Sequence, residues 1–551
     1  MKQHHLSIAF IIAVALVGWK GQSASACTNF LITKGASTDG SVIVTYNADS
    51  YGMYGTMYSH SGGTHKEGEM RKIYEWDTNR YLGEIPEAAV TYRVTGQMNE
   101  NQVSVTETTF GGREELADST GIIDYGSLIY IALERSKTAR EAIKVMTSLV
   151  EKYGYCSEGE TFSICDKNEA WVMEMMGKGP GGKGAVWVAV LIPDGYICAH
   201  ANQSRITKFL KNFPKENVMY SKDVISFARE KGYFSGKDAD FSFRDAYAPS
   251  DFSAVRYCEA RVWSFFNHHV SGMDKYLDYV QCRDLQSEMP LYMRPNAKVS
   301  LEEVMMDMRD HYEDTPFDIT NDLGAGAWEM PYRPSPLSKK VGGKEVFNER
   351  PTSTQQTGFS FVGQMRSWLA DAIGGVVWWT NDDANMAPYV PVYCSADAPK
   401  CFVRVEGVQD ELTFSWQSAF WLQNTVANMV YPYYSKIFPD LKRYRDQYEQ
   451  THIQQIRKLS VAELADKTDA ELRTFANESS QKCADEMMKV WDSLMKYIIV
   501  KHNDMVVKKV DDKDRFIRTK EGFAASPVRP GYPDAYINKI LNETGDRYLV
   551  K

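Results

Sequence analysis

Residues 24–27 read Ala-Ser-Ala-Cys, and the chain changes character across them. Before this point stand an early positive charge at Lys2 and an apolar run from Leu6 to Trp19. A basic start, an apolar middle and an A-x-A end mark a secretory leader. The run is short for a bilayer-spanning helix, and no later segment is continuously apolar over such a length. The expectation is therefore an exported chain, periplasmic or secreted, that has lost residues 1–26 and keeps no membrane span. Cleavage after Ala26 would leave Cys27 as the first residue. From there the pattern becomes that of strands: Thr28–Lys34 and Ser41–Tyr46 alternate and are rich in β-branched residues, with Asp39-Gly40 as the hairpin signal between them.

A second strand block follows at Met98–Gly112. Two amphipathic helices come next, the first carrying Tyr125, Leu128, Ile129, Ala132 and Leu133 on one face. The second carries Ala142, Ile143, Met146, Leu149, Val150 and Tyr153, and Gly154 ends it. Strands return at Thr161–Asp166, Ala170–Met176 and Trp187–Ile192, then at Tyr196–Asn202 after a Pro193-Asp194-Gly195 turn. Further strands are expected at Thr357–Phe361, Gly374–Trp379 and Pro391–Tyr393. Beyond about residue 410 the pattern turns helical, with capping boxes at Ser460–Glu463 and Thr468–Glu471. An apolar stripe of Met487, Val490, Trp491, Leu494 and Ile498 follows. Strand blocks bracketing a helical pair predict an α+β fold of stacked sheets with helices outside. At 551 residues the chain exceeds a typical single core, so two lobes are expected.

A net charge of −9 without basic runs argues against nucleic-acid binding. None of the nine cysteines forms a C-x-x-C pair, which leaves zinc ribbons and thioredoxin-like sites unsupported. Apart from Cys27 the other eight could pair in an oxidising compartment or remain buried thiols. No H-E-x-x-H or G-x-S-x-G occurs. Gly177–Gly184 nearly spells a phosphate loop, but Gly184 replaces the Ser or Thr and a strand follows it, so it reads as a surface loop. His200, two residues from Cys198, reads as a structural histidine.

Cys27 is different because cleavage would give it its own base. An α-amine titrates near pH 7.7–8.0 and a thiol near 8.5 in reference peptides, so modest perturbation yields a nucleophile and a base on one residue. Before cleavage that nitrogen is an amide and cannot accept a proton. A competing use of Cys27 is lipidation, although Ala24 stands where a lipoprotein signal normally has Leu.

Six ordered segments carry a resemblance: "CTNFLITKGASTDGSVIVTYNADS", "NENQVSVTETTFGGREEL", "WVAVLIPDGYICAHANQSRI", "HYEDTPFDIT", "RPTSTQQTGFSFVGQMRSW" and "GGVVWW". Together the chain resembles the secreted cysteine dipeptidases (dipeptidase A type) of the N-terminal-nucleophile hydrolase superfamily, with penicillin V acylase and bile-salt hydrolase as more distant relatives. The resemblance implies a four-layer αββα sandwich over residues 27–410, with a mainly helical region, 411–551, packed on it. It implies dipeptide hydrolysis with neither metal nor cofactor, through a thioester acyl-enzyme on Cys27. Asp49 and Asn47 match the aspartate and asparagine of the relatives' Arg-Asn-x-Asp, and Tyr46 stands where their arginine does. Asn202 matches an oxyanion-binding asparagine, and Arg261 an active-site arginine. Glu107 is the candidate for the substrate's free amine, with Thr109 in the same pocket-lining segment. The alternatives are an amidase acting on N-acyl amino acids or bile-salt conjugates, and a lipid-anchored surface binding protein. Oligomerisation of identical chains is compatible with the sequence.

Overall fold

The computed structural model describes residues 27–459, Leu464 and residues 466–550. The expected leader and the Ser460–Glu463 capping box lie outside the described residues. Strand β1 (Asn29–Ile32) turns into β2 (Val42–Asp49) in antiparallel register, Leu31 opposite Val44. The turn is built by Asp39, whose Oδ1 accepts from the Ser41 N–H at 3.0 Å and hydroxyl at 2.6 Å, and by Gly40 at φ +82°. The next elements are β3 (Ser104–Gly111), α1 (Tyr125–Arg135), α2 (Ala139–Tyr153), β4 (Gly159–Cys165), β5 (Ala170–Gly177), β6 (Ala185–Leu191) and β7 (Ile197–His200). After a long excursion containing α3 (Ala260–His269), the chain returns as β8 (Thr357–Met365), β9 (Gly375–Asn381) and β10 (Val390–Tyr393).

These strands form two antiparallel sheets. The first has seven strands, in the order Tyr292–Met293, β7, β1, β2, β8, β9, β10. The second has eight, running from Val218–Tyr220 through β6, β5, β4 and β3 to three two-residue strands. Side-chain alternation shows how they stack. Asn29 Nδ2 crosses the gap between the sheets to Thr106 Oγ1 at 2.8 Å, while the next residue, Phe30, stacks on Phe265 of α3 at 4.1 Å. On β5, Trp171 and Met173 join the apolar layer shared with α1 and α2, and Val172 between them joins the core of the other face. The architecture is thus an α+β sandwich of two sheets with helices outside, as expected. Strands buried on both faces gain roughly 1.5–3 kcal/mol for each large apolar side chain removed from water.

Helix ends follow the sequence. Asp124 caps α1, Thr138 caps α2, and Gly154 at φ +79° ends α2. Helices α4 (Ala419–Val430), α5 (Tyr434–Lys458) and α6 (Asp469–His502) make the C-terminal helical region. Thr468 and Glu471 form the predicted capping box. Met487, Trp491, Leu494 and Ile498 are buried in the same continuous core as the first sheet, and Val490 packs beside them. The Ser480 hydroxyl of α6 takes the Tyr393 N–H of β10 at 3.0 Å. A last helix, Asp534–Thr544, has no buried residue.

All nine cysteines are free thiols. His200 is fully buried between the Thr108 and Ser163 hydroxyls, each at 2.7 Å, and burial pushes it down to about 3, so it is a neutral structural histidine. No helix among the described residues is long and apolar enough to cross a membrane.

Candidate active site

Cys27 stands two residues before the start of β1 and is 2% exposed. Its position is held through the main chain. Thr28 exchanges both backbone hydrogen bonds with Asn47 of β2, at 3.2 and 3.0 Å. Arg261, near the start of α3, donates from Nη1 to the Cys27 carbonyl at 2.7 Å and to the Thr28 hydroxyl at 2.8 Å. Arg261 is brought to this depth by a π-helical turn, Ala254–Glu259, that runs into α3. Such turns re-aim the residues that follow them and recur at functional sites. Its Nε donates to Tyr257 O at 2.9 Å, which fixes the remaining donors toward Cys27.

The thiol lies 3.5 Å from Glu107 Oε1 and 3.8 Å from the Tyr46 hydroxyl, and Tyr46 itself donates to Glu107 Oε1 in a short hydrogen bond. Burial pushes the thiol well above its ordinary value, and the negative charges of Glu107 and Asp49 push it further. The Asp49 backbone N–H and the Tyr46 hydroxyl act the other way. Asp49 accepts from Arg350 at 2.7 Å and from the Thr357 hydroxyl at 2.6 Å, yet burial still holds its carboxyl above the usual range. Arg350 supplies a guanidinium to Asp49 from a distant segment.

Asn202 follows β7 in the left-handed region at φ +68°, a conformation asparagine tolerates better than other side-chain-bearing residues. Its Oδ1 accepts from Arg261 Nη2 at 3.1 Å and its Nδ2 donates to Thr109 O at 2.8 Å. The guanidinium thereby fixes which end of the amide is the donor. One N–H of Nδ2 is used by Thr109 and a second remains. Asn202, Thr109 and Arg261 line a cavity of about 800 Å³. A β-bulge between Thr109 and Gly111 turns Phe110 into the same cavity, with its ring over Gly159, where any side chain would collide with it.

Seven of the eight residues singled out from sequence converge: Cys27, Tyr46, Asp49, Glu107, Thr109, Asn202 and Arg261. Asn47 lies apart from them: it is fully buried, donating to Met308 O and Thr352 O at 3.2 and 3.0 Å and accepting from Ser360. With both N–H groups taken by the protein, this amide ties the first sheet to two loops. Two site residues escaped sequence reading. Arg350 is the first residue of the quoted segment "RPTSTQQTGFSFVGQMRSW", and its charge there is its only signal. Glu160, the second residue of β4, is the one charged residue in a fully buried strand.

A family model, "Peptidase family C69", matches residues 26–447. The chain belongs to this family. Its activity is accordingly the hydrolysis of peptide bonds. Among curated proteins it is similar to a "Probable dipeptidase" of Latilactobacillus sakei, 26% identical over 429 residues, covering 74% of this chain and 82% of that protein. A "Probable dipeptidase" of Salmonella dublin is 27% identical over 404 residues, or 69% and 83% of the two chains. "Dipeptidase A" of Lactobacillus helveticus is 22% identical over 391 residues, or 70% and 71%.

Proposed function

We propose that this C69 peptidase is an exported dipeptidase in which Cys27, freed by removal of residues 1–26, is an N-terminal nucleophile. The observation that carries the reading is the convergence on Cys27. Arg261 grips its carbonyl and Asn202 at once, and the Asp49 N–H and Tyr46 hydroxyl face its sulfur. The start of the family match at residue 26 and the names of the relatives support it.

The chemistry is acyl transfer. The Cys27 α-amine takes the thiol proton, the thiolate attacks the peptide carbonyl, and the oxyanion is met by the second Nδ2 N–H of Asn202 and a backbone N–H. The resulting α-ammonium protonates the leaving amine, and water then hydrolyses the thioester. In the uncut chain the thiol is held up by burial and then by its acidic neighbours; an ammonium on the same residue opposes that shift, because a nearby cation favours the thiolate. Removal of the leader is therefore the activating step in two senses, supplying the base and lowering the thiol.

N-terminal sequencing of the purified active enzyme, paired with a Cys27→Ala assay on dipeptides, tests this. The expected result is a sequence beginning Cys-Thr-Asn and no turnover in the variant. A variant that still cleaves dipeptides overturns the assignment.

A further inference from the structure

Antiparallel pairing places Thr109 opposite Glu160 and Glu107 opposite Phe162. Cross-strand partners share a face, so Glu107, Thr109 and Glu160 form one cluster. Both acids are 1% exposed, and Glu160 lines the cavity. Oε1 of Glu160 accepts the Thr109 hydroxyl at 2.7 Å, and Oε1 of Glu107 accepts from Tyr46 and Cys27. The second oxygen of each is buried and receives no donor from any other described residue. Burial pushes Glu160 well above the usual carboxylate range, with the charge of Glu107 adding to it, and burial raises Glu107 too. Two adjacent buried acids with unfilled acceptors cost stability, so the fold keeps them for something that supplies donors and positive charge.

We propose that Glu107 and Glu160 together bind the α-ammonium of the substrate's first residue, so that the enzyme reads a free amino terminus directly beside the bond it cuts. This rests on the reading of Cys27 as nucleophile. Geometry supports the choice of ligand. A reacting carbonyl carbon stands about 3–3.5 Å from the attacking atom, and the α-nitrogen of the same residue lies about 2.5 Å from that carbon. Glu107 Oε1, 3.5 Å from the sulfur, is within reach of that nitrogen. An ammonium offers three N–H donors, enough for both unfilled oxygens. A neutral acyl group, as in N-acyl amino acids or bile-salt conjugates, would leave the pair unfilled. The pair therefore selects against those substrates and limits cleavage to one residue from the amino terminus.

The test measures kcat and KM for alanyl-alanine and for its des-amino analogue propionyl-alanine, using the mature enzyme and Glu160→Gln. Wild type is expected to prefer the free dipeptide by ~100-fold or more in kcat/KM. Glu160→Gln should lower kcat/KM for the free dipeptide by ~10- to 100-fold, mainly through KM. This is the scale of one charge-assisted hydrogen bond. The analogue should change by less than ~3-fold, and Glu160→Asp should recover part of the loss. Equal loss on both substrates, or on neither, overturns the proposal. So does a wild type that fails to discriminate, a result that needs no folded variant. If Cys27→Ala is inactive while Glu160→Gln behaves as wild type, this inference alone falls; an active Cys27→Ala removes the nucleophile whatever Glu160 does.

Discussion

Strands β3 and β4 pair over their length, and their two faces treat buried polar groups in opposite ways. On the face toward the first sheet, Thr106, Thr108 and Ser163 are matched by Asn29 and His200 in neutral hydrogen bonds of 2.7 to 3.4 Å. On the other face, beyond the apolar Val105, Phe162 and Ile164, stand Glu107 and Glu160 with acceptors unfilled. On the first face the neutral groups bond one another, with Asn29 Oδ1 the one atom among them left without a partner; on the other, each carboxyl fills one oxygen from within the protein and keeps a second unfilled. Burial alone does not separate a structural polar residue from a functional one; what marks the second face is that its unfilled atoms belong to acids.

The contrast can be broken by substitution. The largest effect after loss of the nucleophile is expected from Asn202→Gly, which keeps the left-handed backbone at no cost but removes the side-chain donor. Steady-state kinetics should show kcat lowered by ~10²- to 10³-fold, the usual consequence of deleting one oxyanion donor, with KM little changed. An unchanged kcat would leave Asn202 as a strut between Arg261 and Thr109.

A smaller effect is expected from His200→Leu, which strands two buried hydroxyls. It should cost ~1–3 kcal/mol in denaturant unfolding while turnover per folded molecule stays within ~2-fold. The pH dependence of stability sharpens the comparison, because the two faces have opposite signs. His200 is depressed in the folded state, so protons prefer the unfolded chain; its contribution is intact above about pH 6.5 and is lost as pH falls toward about 3. Glu160 is raised in the folded state, so it binds its proton more tightly when folded and weakens the fold as pH climbs above the ordinary carboxylate value. Melting scans should therefore show His200→Leu flattening the acid limb, and Glu160→Gln flattening the alkaline limb and raising Tm by ~2 °C at neutral pH. Matching pH profiles for both variants would erase the distinction between the faces.

Much of the architecture is legible in the sequence because it rests on local patterns. The Asp39-Gly40 turn, the Gly154 stop and the Thr468–Glu471 box are each set by a few neighbouring residues, and each stands where those residues put it. What hides is pairing. Glu107 and Thr109 could be singled out along one strand, but Glu160 enters through cross-strand register, which no single strand encodes. Arg350 reaches Asp49 across 301 residues of chain. Asn47 was legible as important but not as structural, since its partners, Met308 and Thr352, come from loops whose course depends on the whole fold. Tyr46 shows the same limit: its phenol on β2 meets Glu107 on β3, and the two strands belong to different sheets.

The central claim is that catalysis needs the nitrogen of Cys27 as a free amine. Turnover of alanyl-alanine by a chain that starts at Cys27, set beside the same chain retaining Ala26, addresses this most directly. The account predicts activity in the first and only background in the second, with both folded and both carrying the same thiol. Equal turnover by the two would contradict it.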